Sequence, residues 1–201
     1  KEKFEAIGGA GIIANVKSGE ILALVSLPDF DPNNLKEATD DALFNRATLG
    51  VYEMGSTFKI FTTAAALETG TVGLKDGYDA TNPIHIARFT IQDYHPKKRW
   101  LSVPEILIYS SNIGAAKMAL DVGSSAMRKF LGRLGLLRPS AVELPEIGAP
   151  MVPTPWREIN TMTISYGHGL AVSPLQLTTG ISTMVNGGYL RPATLLLDQT
   201  D

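Results

Sequence analysis

Apolar residues along this chain are grouped in blocks whose spacing predicts both strands and helices. Two apolar runs, residues 11–16 and 21–26, flank Ser18-Gly19, which predicts two strands joined by a hairpin turn. The block from Ser56 to Glu68 is apolar on nearly every side, and Gly70 follows it at a position typical of a helix stop. This block therefore predicts a buried central helix.

Further helices are predicted from capping residues and glycine stops. Ser102-Val103-Pro104-Glu105 is a capping box that opens a short helix, and Ser173-Pro174-Leu175-Gln176 opens another with the same arrangement. Other helices are predicted at residues 41–46, 113–120 and 124–134. Loops are predicted at residues 28–34, 73–98 and 139–156, with minor strands in the second of them. The pattern predicts a single mixed α/β unit.

The composition is that of an ordinary globular domain. Of 201 residues, 44% are hydrophobic, 18 are basic and 20 are acidic; the net charge of −2 gives no electrostatic case for nucleic-acid binding. The chain has no cysteine, which excludes disulfides and thiolate metal sites. The histidines His85, His95 and His168 lack metal-ligand spacing, so we predict neither a metal nor a cofactor. No signal peptide and no apolar run of membrane-spanning length is visible.

Lys59 follows Ser56 by three residues at the start of the apolar block. Positions i and i+3 of a helix lie on one face, so the hydroxyl and the amine can touch. Apolar surroundings disfavour the ammonium form and lower the lysine pKa, and a neutral amine can accept the serine proton. The pair is a candidate nucleophile and base, although a capped helix with a surface lysine has the same spacing.

A second candidate motif is the triplet Ser110-Ser111-Asn112, which precedes a predicted helix. Ser110 offers a hydroxyl that can relay a proton, and Asn112 offers an amide with both donors and an acceptor. Taken alone, the triplet is also an adequate helix N-cap. An S-x-x-K motif followed by this triplet at this separation is much less expected by accident than either motif alone.

The two motifs in this order resemble those of the penicillin-interacting serine acyltransferases, which include penicillin-binding proteins and serine β-lactamases. The likeness covers nearly the whole chain and is carried also by residues 15–26, 29–35, 45–48 and 167–177. The loop at 29–35 and the asparagine at position 112 are similar to the division-specific class B transpeptidases. The elongation-specific relatives typically have an aspartate there.

The resemblance implies a role for each motif residue. Ser56 would be the acylated nucleophile and Lys59 its general base. Ser110 would pass the proton towards the leaving amine, and Asn112 would bind the substrate amide. The backbone N–H of Ser56 would supply one oxyanion-hole donor.

The resemblance also implies the fold, the partners and the cellular location. The fold would be the penicillin-binding transpeptidase fold of α+β type, with a central buried helix and an antiparallel sheet. The partners would be peptidoglycan stem peptides, a lipid-linked precursor, β-lactam antibiotics and membrane proteins of the division complex. The location would be the periplasmic face of the bacterial inner membrane, through an N-terminal anchor that we do not find in residues 1–201.

The chain departs from the family in its third motif, K-[ST]-G, which is expected tens of residues after Gly187-Gly188. Lys17-Ser18-Gly19 has the right residues but precedes Ser56 and falls in the predicted hairpin turn, so we interpret it as a decoy. We therefore expect residues 1–201 to be a partial transpeptidase domain that lacks the strand closing the site. Acylation of this segment alone is expected to be weak or absent.

Two alternative functions remain open from the sequence. The first is hydrolysis by a β-lactamase or D,D-carboxypeptidase, which needs an activated water for deacylation. The second is a non-catalytic penicillin-sensing or scaffold domain that retains the motifs. Rapid turnover of a chromogenic β-lactam would favour the hydrolase, and failure to form an adduct would favour the scaffold.

Overall fold

Helices and short strands alternate along the chain in the computed structural model, which describes residue 3, residues 5–86 and residues 88–197. The strands are β1 (Gly9–Ala14), β2 (Ile21–Leu27), β3 (Tyr52–Glu53), β4 (Gly77–Asp79), β5 (Ile84–Ile86), β6 (Phe89–Ile91), β7 (Trp100–Ser102) and β8 (Ala171–Val172). The helices are α1 (Asp40–Leu43), α2 (Lys59–Glu68), α3 (Val103–Ile108), α4 (Asn112–Val122), α5 (Ser124–Arg133), α6 (Glu158–Ile164) and α7 (Pro174–Val185). Tighter 3-10 turns cover Leu35–Glu37 and Gly55–Phe58.

The chain divides into two units. The first comprises Lys1–Tyr52, Gly132–Met151 and Val172–Asp201, and the second comprises Glu53–Leu131 and Val152–Ala171. The sequence predicts one partial domain over residues 1–201. Both ends of that range lie outside the described residues, so the extent of the domain stays a prediction. None of the helices in the described residues is long and apolar enough to cross a membrane.

The first unit contains the predicted hairpin. Strands β1 and β2 pair antiparallel, from Gly9 opposite Leu27 to Ala14 opposite Ile21. In the turn, Gly19 has a φ of 87°, and a Cβ there would lie 2.2 Å from the carbonyl oxygen of Pro192. Glycine is therefore required by both conformation and space. The hairpin turn predicted at Lys17-Ser18-Gly19 is confirmed.

Helix α7 of the first unit begins at the predicted capping box. The Ser173 hydroxyl accepts from the Gln176 N–H, and the Gln176 side chain accepts from the Ser173 N–H. Proline in the first turn has no N–H to leave unpaired. The helix contacts β1, so capping residues and an apolar face together fix its position beside the hairpin.

The second unit is built around α2, which contacts α3 and α4, while α4 contacts α6 and β4. Its main apolar cluster consists of buried residues from these elements and their loops: Ala66, Val72, Ala80, Leu101, Val103, Ile106, Ile113, Ala115 and Met118. Six of the ten residues of α2 are buried, but Ile60 and Leu67 are about 40% exposed. The helix is therefore central but not buried all round, because its packing partners do not enclose it.

Helix α6 was not predicted, because its sequence contains β-branched and polar residues and starts at an arginine instead of a usual cap. The side chain of Asn160 caps its first turn by accepting from the Arg157 N–H at 2.8 Å. The minor strands predicted within the loop at 73–98 are confirmed as β4, β5 and β6; residue 87 within this loop lies outside the described residues.

Gly114 lets α4 approach α3 closely, which makes a stability prediction possible. A Cβ at this position would lie 2.6 Å from Cγ1 of Ile106. We expect Gly114→Ala to lower the free energy of unfolding by about 1–3 kcal/mol through overpacking. The measurement is the midpoint of urea denaturation.

Gly132→Ala is the matched control within α5. A Cβ there would meet only a side-chain atom of Leu137 at 3.8 Å, an ordinary contact. This variant should be neutral or stabilising by up to about 1 kcal/mol, because alanine is the better helix former. Equal midpoints for the two variants would contradict the close approach of α3 and α4.

Candidate active site

The predicted nucleophile and base lie together in the second unit. Ser56 is exposed in the 3-10 turn Gly55–Phe58, and Lys59 is the first residue of α2 and is 2% exposed. In a 3-10 turn the side chains at i and i+3 are eclipsed, which brings the two groups closer than an α-helical turn does. Lys59 Nζ lies 2.8 Å from Ser56 Oγ. The contact predicted from the spacing is present, with a tighter turn than predicted.

Lys59 Nζ also joins the first motif to the second. It lies 2.8 Å from Asn112 Oδ1, 3.0 Å from the Ser110 carbonyl oxygen and 2.9 Å from Ser110 Oγ. The structure therefore brings all four predicted site residues around one nitrogen atom. Their chemical roles stay predictions.

The number of hydrogens on this nitrogen restricts its bonding. The Ser110 carbonyl oxygen and Asn112 Oδ1 can only accept, so each requires an N–H of Lys59. One position of the nitrogen is left for two hydroxyls, those of Ser56 and Ser110. In the ammonium form that position holds a hydrogen, and in the neutral amine it holds the lone pair. The carbonyl acceptors therefore aim the basic position of Lys59 at the hydroxyls.

The environment of Lys59 makes the neutral form accessible. Burial lowers its pKa from the ordinary 10.5 to about 8, and the negative charge of Asp93 opposes part of that fall. With a pKa of about 8, roughly one tenth of the amine is neutral at pH 7. The lysine can therefore work as a base near neutral pH.

Ser110 is held in an unusual backbone conformation at the end of α3. Its φ is +54°, in the left-handed region where glycine is preferred. Its N–H donates to the Leu107 carbonyl at 3.1 Å, and the Ser111 N–H donates to the Ile106 carbonyl at 2.9 Å. These two bonds are those of a Schellman motif, in which Ser110 occupies the position usually taken by glycine. A serine here carries backbone strain and presents its hydroxyl to Lys59.

The other two residues of the triplet begin helix α4. The Ser111 hydroxyl caps the helix by accepting from the Gly114 N–H at 2.9 Å. Asn112 Nδ2 donates to the Gln92 carbonyl at 3.0 Å, while its Oδ1 accepts from Lys59. The triplet therefore caps the helix and contacts Lys59 at once. The helix-cap interpretation is confirmed, and the functional interpretation stays a prediction.

Asp93 belongs to the site although the sequence analysis did not single it out. It is 8% exposed, and its carboxylate accepts from Ser111 Oγ at 2.9 Å and from the Ile113 N–H at 3.0 Å. A buried carboxylate with these donors fastens the triplet to the preceding loop. The only signal in the sequence is an acid two residues after apolar Ile91, and its partners lie about twenty residues away.

The sequence predicts no bound metal, and this stays a prediction. Residues 3, 5–86 and 88–197 contain no group of three or more His, Cys, Asp and Glu residues that could hold a metal ion. His168 is exposed, and its ring lies 5.3 Å from that of Tyr166.

Comparison with known proteins identifies the family. The family model described as the penicillin binding protein transpeptidase domain matches residues 9–200. The chain belongs to this family. The resemblance inferred from the two motifs is thereby confirmed.

Individual relatives agree with this assignment. The chain is 42% identical over 194 residues to a probable peptidoglycan D,D-transpeptidase FtsI of Caulobacter vibrioides, covering 96% of this chain and 33% of the relative. It is 33% identical over 193 residues to peptidoglycan D,D-transpeptidase FtsI of Escherichia coli K12, covering 95% of this chain and 32% of the relative. The chain therefore spans about one third of the length of these curated relatives.

A solved structure confirms the predicted fold class. The transpeptidase domain of Burkholderia pseudomallei penicillin-binding protein 3 superposes with a TM-score of 0.85 at 30% identity. The match covers 100% of this chain and 57% of that one. The prediction of the mixed α/β fold of the penicillin-binding transpeptidases is therefore confirmed. Short antiparallel pairs are formed by β1 with β2, β4 with β7 and β5 with β6.

The strain at Ser110 predicts that glycine at this position gives a more stable protein than alanine. We expect the free energy of unfolding of Ser110→Gly to exceed that of Ser110→Ala by about 1 kcal/mol, because glycine adopts positive φ without strain. Urea denaturation of the two variants measures this difference. Both variants lose the hydroxyl that faces Lys59. The matched pair Lys98→Gly and Lys98→Ala, at an exposed residue with a φ of 52°, should differ by a similar amount. No difference between the two Ser110 variants would contradict strain at this residue.

Asp93 predicts a shift in the titration of Lys59. The carboxylate raises the lysine pKa, so Asp93→Asn should move the midpoint from about 8 to a lower pH. The Asn side chain retains an acceptor for the Ile113 N–H, which preserves most of the geometry. NMR of the Lys59 Cε–Nζ group, titrated from about pH 5 to about pH 11, measures the midpoint. Asp76→Asn, which removes an exposed turn carboxylate of the same unit, should leave it unchanged; an upward shift in Asp93→Asn would overturn the electrostatic assignment.

Proposed function

We propose that this chain carries the acylation site of a peptidoglycan D,D-transpeptidase, with Ser56 as nucleophile and Lys59 as general base. The observation that carries the proposal is the 2.8 Å contact between a buried lysine amine and an exposed serine hydroxyl. Membership of the transpeptidase domain family supports it. The substrate would be the carbonyl between two D-alanines of a cell-wall stem peptide.

The first step forms an acyl-enzyme. Neutral Lys59 takes the proton from Ser56 Oγ as that oxygen attacks the carbonyl carbon. The N–H of Ser56 donates to the developing oxyanion, an interaction worth several kcal/mol in acyl transfer. The C–N bond then breaks, and the proton passes from Lys59 through the Ser110 hydroxyl to the departing amine of D-alanine. The contacts of Lys59 with both hydroxyls, at 2.8 and 2.9 Å, suit this transfer.

The second step reverses the direction of proton transfer. An amine from a neighbouring stem peptide attacks the Ser56 ester and loses its proton to the Ser110 and Lys59 pair. A new amide forms, and the proton returns to Ser56 Oγ. Asn112 Nδ2 uses one hydrogen on the Gln92 carbonyl and has a second hydrogen for a substrate carbonyl. Asn112 can therefore hold the substrate amide without releasing Lys59.

A role for the whole protein follows from the proposed site. We infer that it cross-links peptidoglycan during septum formation at the periplasmic face of the inner membrane, held by an N-terminal anchor and by membrane proteins of the division complex. The relatives named FtsI support the division-specific type. β-Lactams would acylate Ser56 and leave slowly.

Labelling with a fluorescent penicillin tests the proposal in the full-length protein as the cell makes it. The unsubstituted protein should form one covalent adduct on Ser56, and Ser56→Ala should form none, because it lacks the nucleophilic oxygen. Ser18→Ala is the matched control, since Ser18 lies in the hairpin turn of the first unit, and it should label normally. Peptide mass spectrometry locates the adduct.

Two outcomes would contradict the proposal. Label that persists in Ser56→Ala would assign the nucleophile elsewhere. Rapid turnover of a chromogenic β-lactam by the unsubstituted protein would favour the hydrolase over the transpeptidase.

A further inference from the structure

The turn that carries Ser56 rests on a second turn, residues 164–169, which follows helix α6. The Gly55 N–H donates to the Gly167 carbonyl at 3.2 Å, and the Gly169 N–H donates to Glu53 Oε1 at 2.6 Å. The first bond is made by the residue immediately before Ser56. The second is made by the side chain of Glu53, two residues before Gly55. The segment that leads into Ser56 is thus bonded to the second turn at two points.

The second turn is itself fixed. The Gly167 N–H donates to the Ile164 carbonyl at 2.9 Å, and the His168 N–H donates to the Thr163 carbonyl at 3.0 Å. Thr62 Oγ1 on α2 donates to the Ser165 carbonyl at 2.9 Å. The helix that carries Lys59 and the turn that supports Ser56 therefore belong to one bonded framework.

The contact between the two turns leaves no room for a side chain. Gly167 has a φ of +86°, and a Cβ built on it would lie 1.9 Å from the Gly55 carbonyl oxygen. A separation below 3.0 Å between such atoms requires one of them to move. The Gly55 carbonyl is therefore pressed against the bare Cα of Gly167.

That contact has a consequence for the oxyanion donor. The Gly55 carbonyl and the Ser56 N–H belong to one planar peptide unit, so fixing the direction of the carbonyl fixes the direction of the N–H. We propose that Glu53 and Gly167 are positioning residues that orient the Ser56 N–H through this shared peptide. The inference rests on the proposed role of Ser56 as nucleophile. Neither residue needs to touch the substrate.

The two residues act in complementary ways. Gly167 limits how far the Gly55–Ser56 peptide can rotate, because any rotation towards it meets backbone atoms. Glu53 holds Gly169, which has a φ of +82° and is the residue after His168, so that the supporting turn cannot withdraw. The bond to Gly169 requires an acceptor oxygen on residue 53 but does not require the negative charge of Glu53, because the donor is a neutral peptide N–H.

The test compares acylation rate with non-covalent affinity in the full-length protein. Single-turnover labelling by a fluorescent penicillin separates the dissociation constant of the initial complex from the acylation rate constant. We expect Gly167→Ala and Glu53→Ala to lower the rate constant by about 10- to 100-fold, because small misplacements of catalytic groups have effects of this size. The dissociation constant should stay within about twofold. Glu53→Gln, which keeps the acceptor oxygen, should restore the rate to within about threefold of the unsubstituted protein.

Matched controls separate positioning from general damage. Gly70→Ala has the same strain, with a φ of +69°, but a Cβ there meets no atom within 4 Å. Glu158→Ala removes an exposed glutamate from the first turn of α6. Both should acylate normally.

Three results would overturn the inference. The first is acylation by Glu53→Ala within about twofold of the unsubstituted protein, and the second is an equal loss in Glu53→Gln and Glu53→Ala. If Gly167→Ala fails to fold, the two Glu53 variants decide alone. The third is failure of the unsubstituted protein to acquire label at Ser56, which overturns the proposed function and this inference with it; the first two leave the proposed function intact.

Discussion

The arrangement of the site depends on one nitrogen atom that has more acceptors than hydrogens to give. Lys59 Nζ faces two carbonyl oxygens and two hydroxyl oxygens between 2.8 and 3.0 Å. Because carbonyls never donate, they take two of its three positions, and the hydroxyls of Ser56 and Ser110 share the third. A surface lysine would satisfy such competition with water. Buried at 2% exposure, Lys59 cannot, so its bonding geometry is set by the protein.

Local backbone motifs deliver each of these acceptors. The 3-10 turn before α2 eclipses Ser56 and Lys59, the end of α3 turns the Ser110 carbonyl and hydroxyl towards the amine, and the start of α4 presents Asn112. Each is an ordinary way to begin or end a helix, with one change: serine replaces glycine at the left-handed position of the Schellman motif. Strain of order 1–3 kcal/mol is tolerable there because the surrounding bonds over-determine the conformation.

The sequence was sufficient for local features and insufficient for contacts between distant segments. The hairpin around Ser18-Gly19, the capping boxes at Ser102 and Ser173 and the Ser56–Lys59 contact all depend on residues within a few positions of one another. Asp93 reaches partners about twenty positions away, and Glu53 reaches Gly169, which is 116 positions away. No periodicity or spacing signals such a bond. Helix α6 was missed for a related reason, since its stability comes from packing on α4 and not from propensity.

Asp93 illustrates how the fold balances opposing demands on Lys59, the proposed base. Its carboxylate fastens Ser111 and Ile113, yet its charge favours the ammonium form of Lys59 and so works against deprotonation. Burial alone would drive the lysine pKa lower and make the amine a weaker base. An amine that takes a proton from one hydroxyl and then returns it to a leaving group works best when its pKa lies near the ambient pH. A buried lysine with a buried acid nearby, and a pKa of about 8, meets that condition better than either feature would without the other.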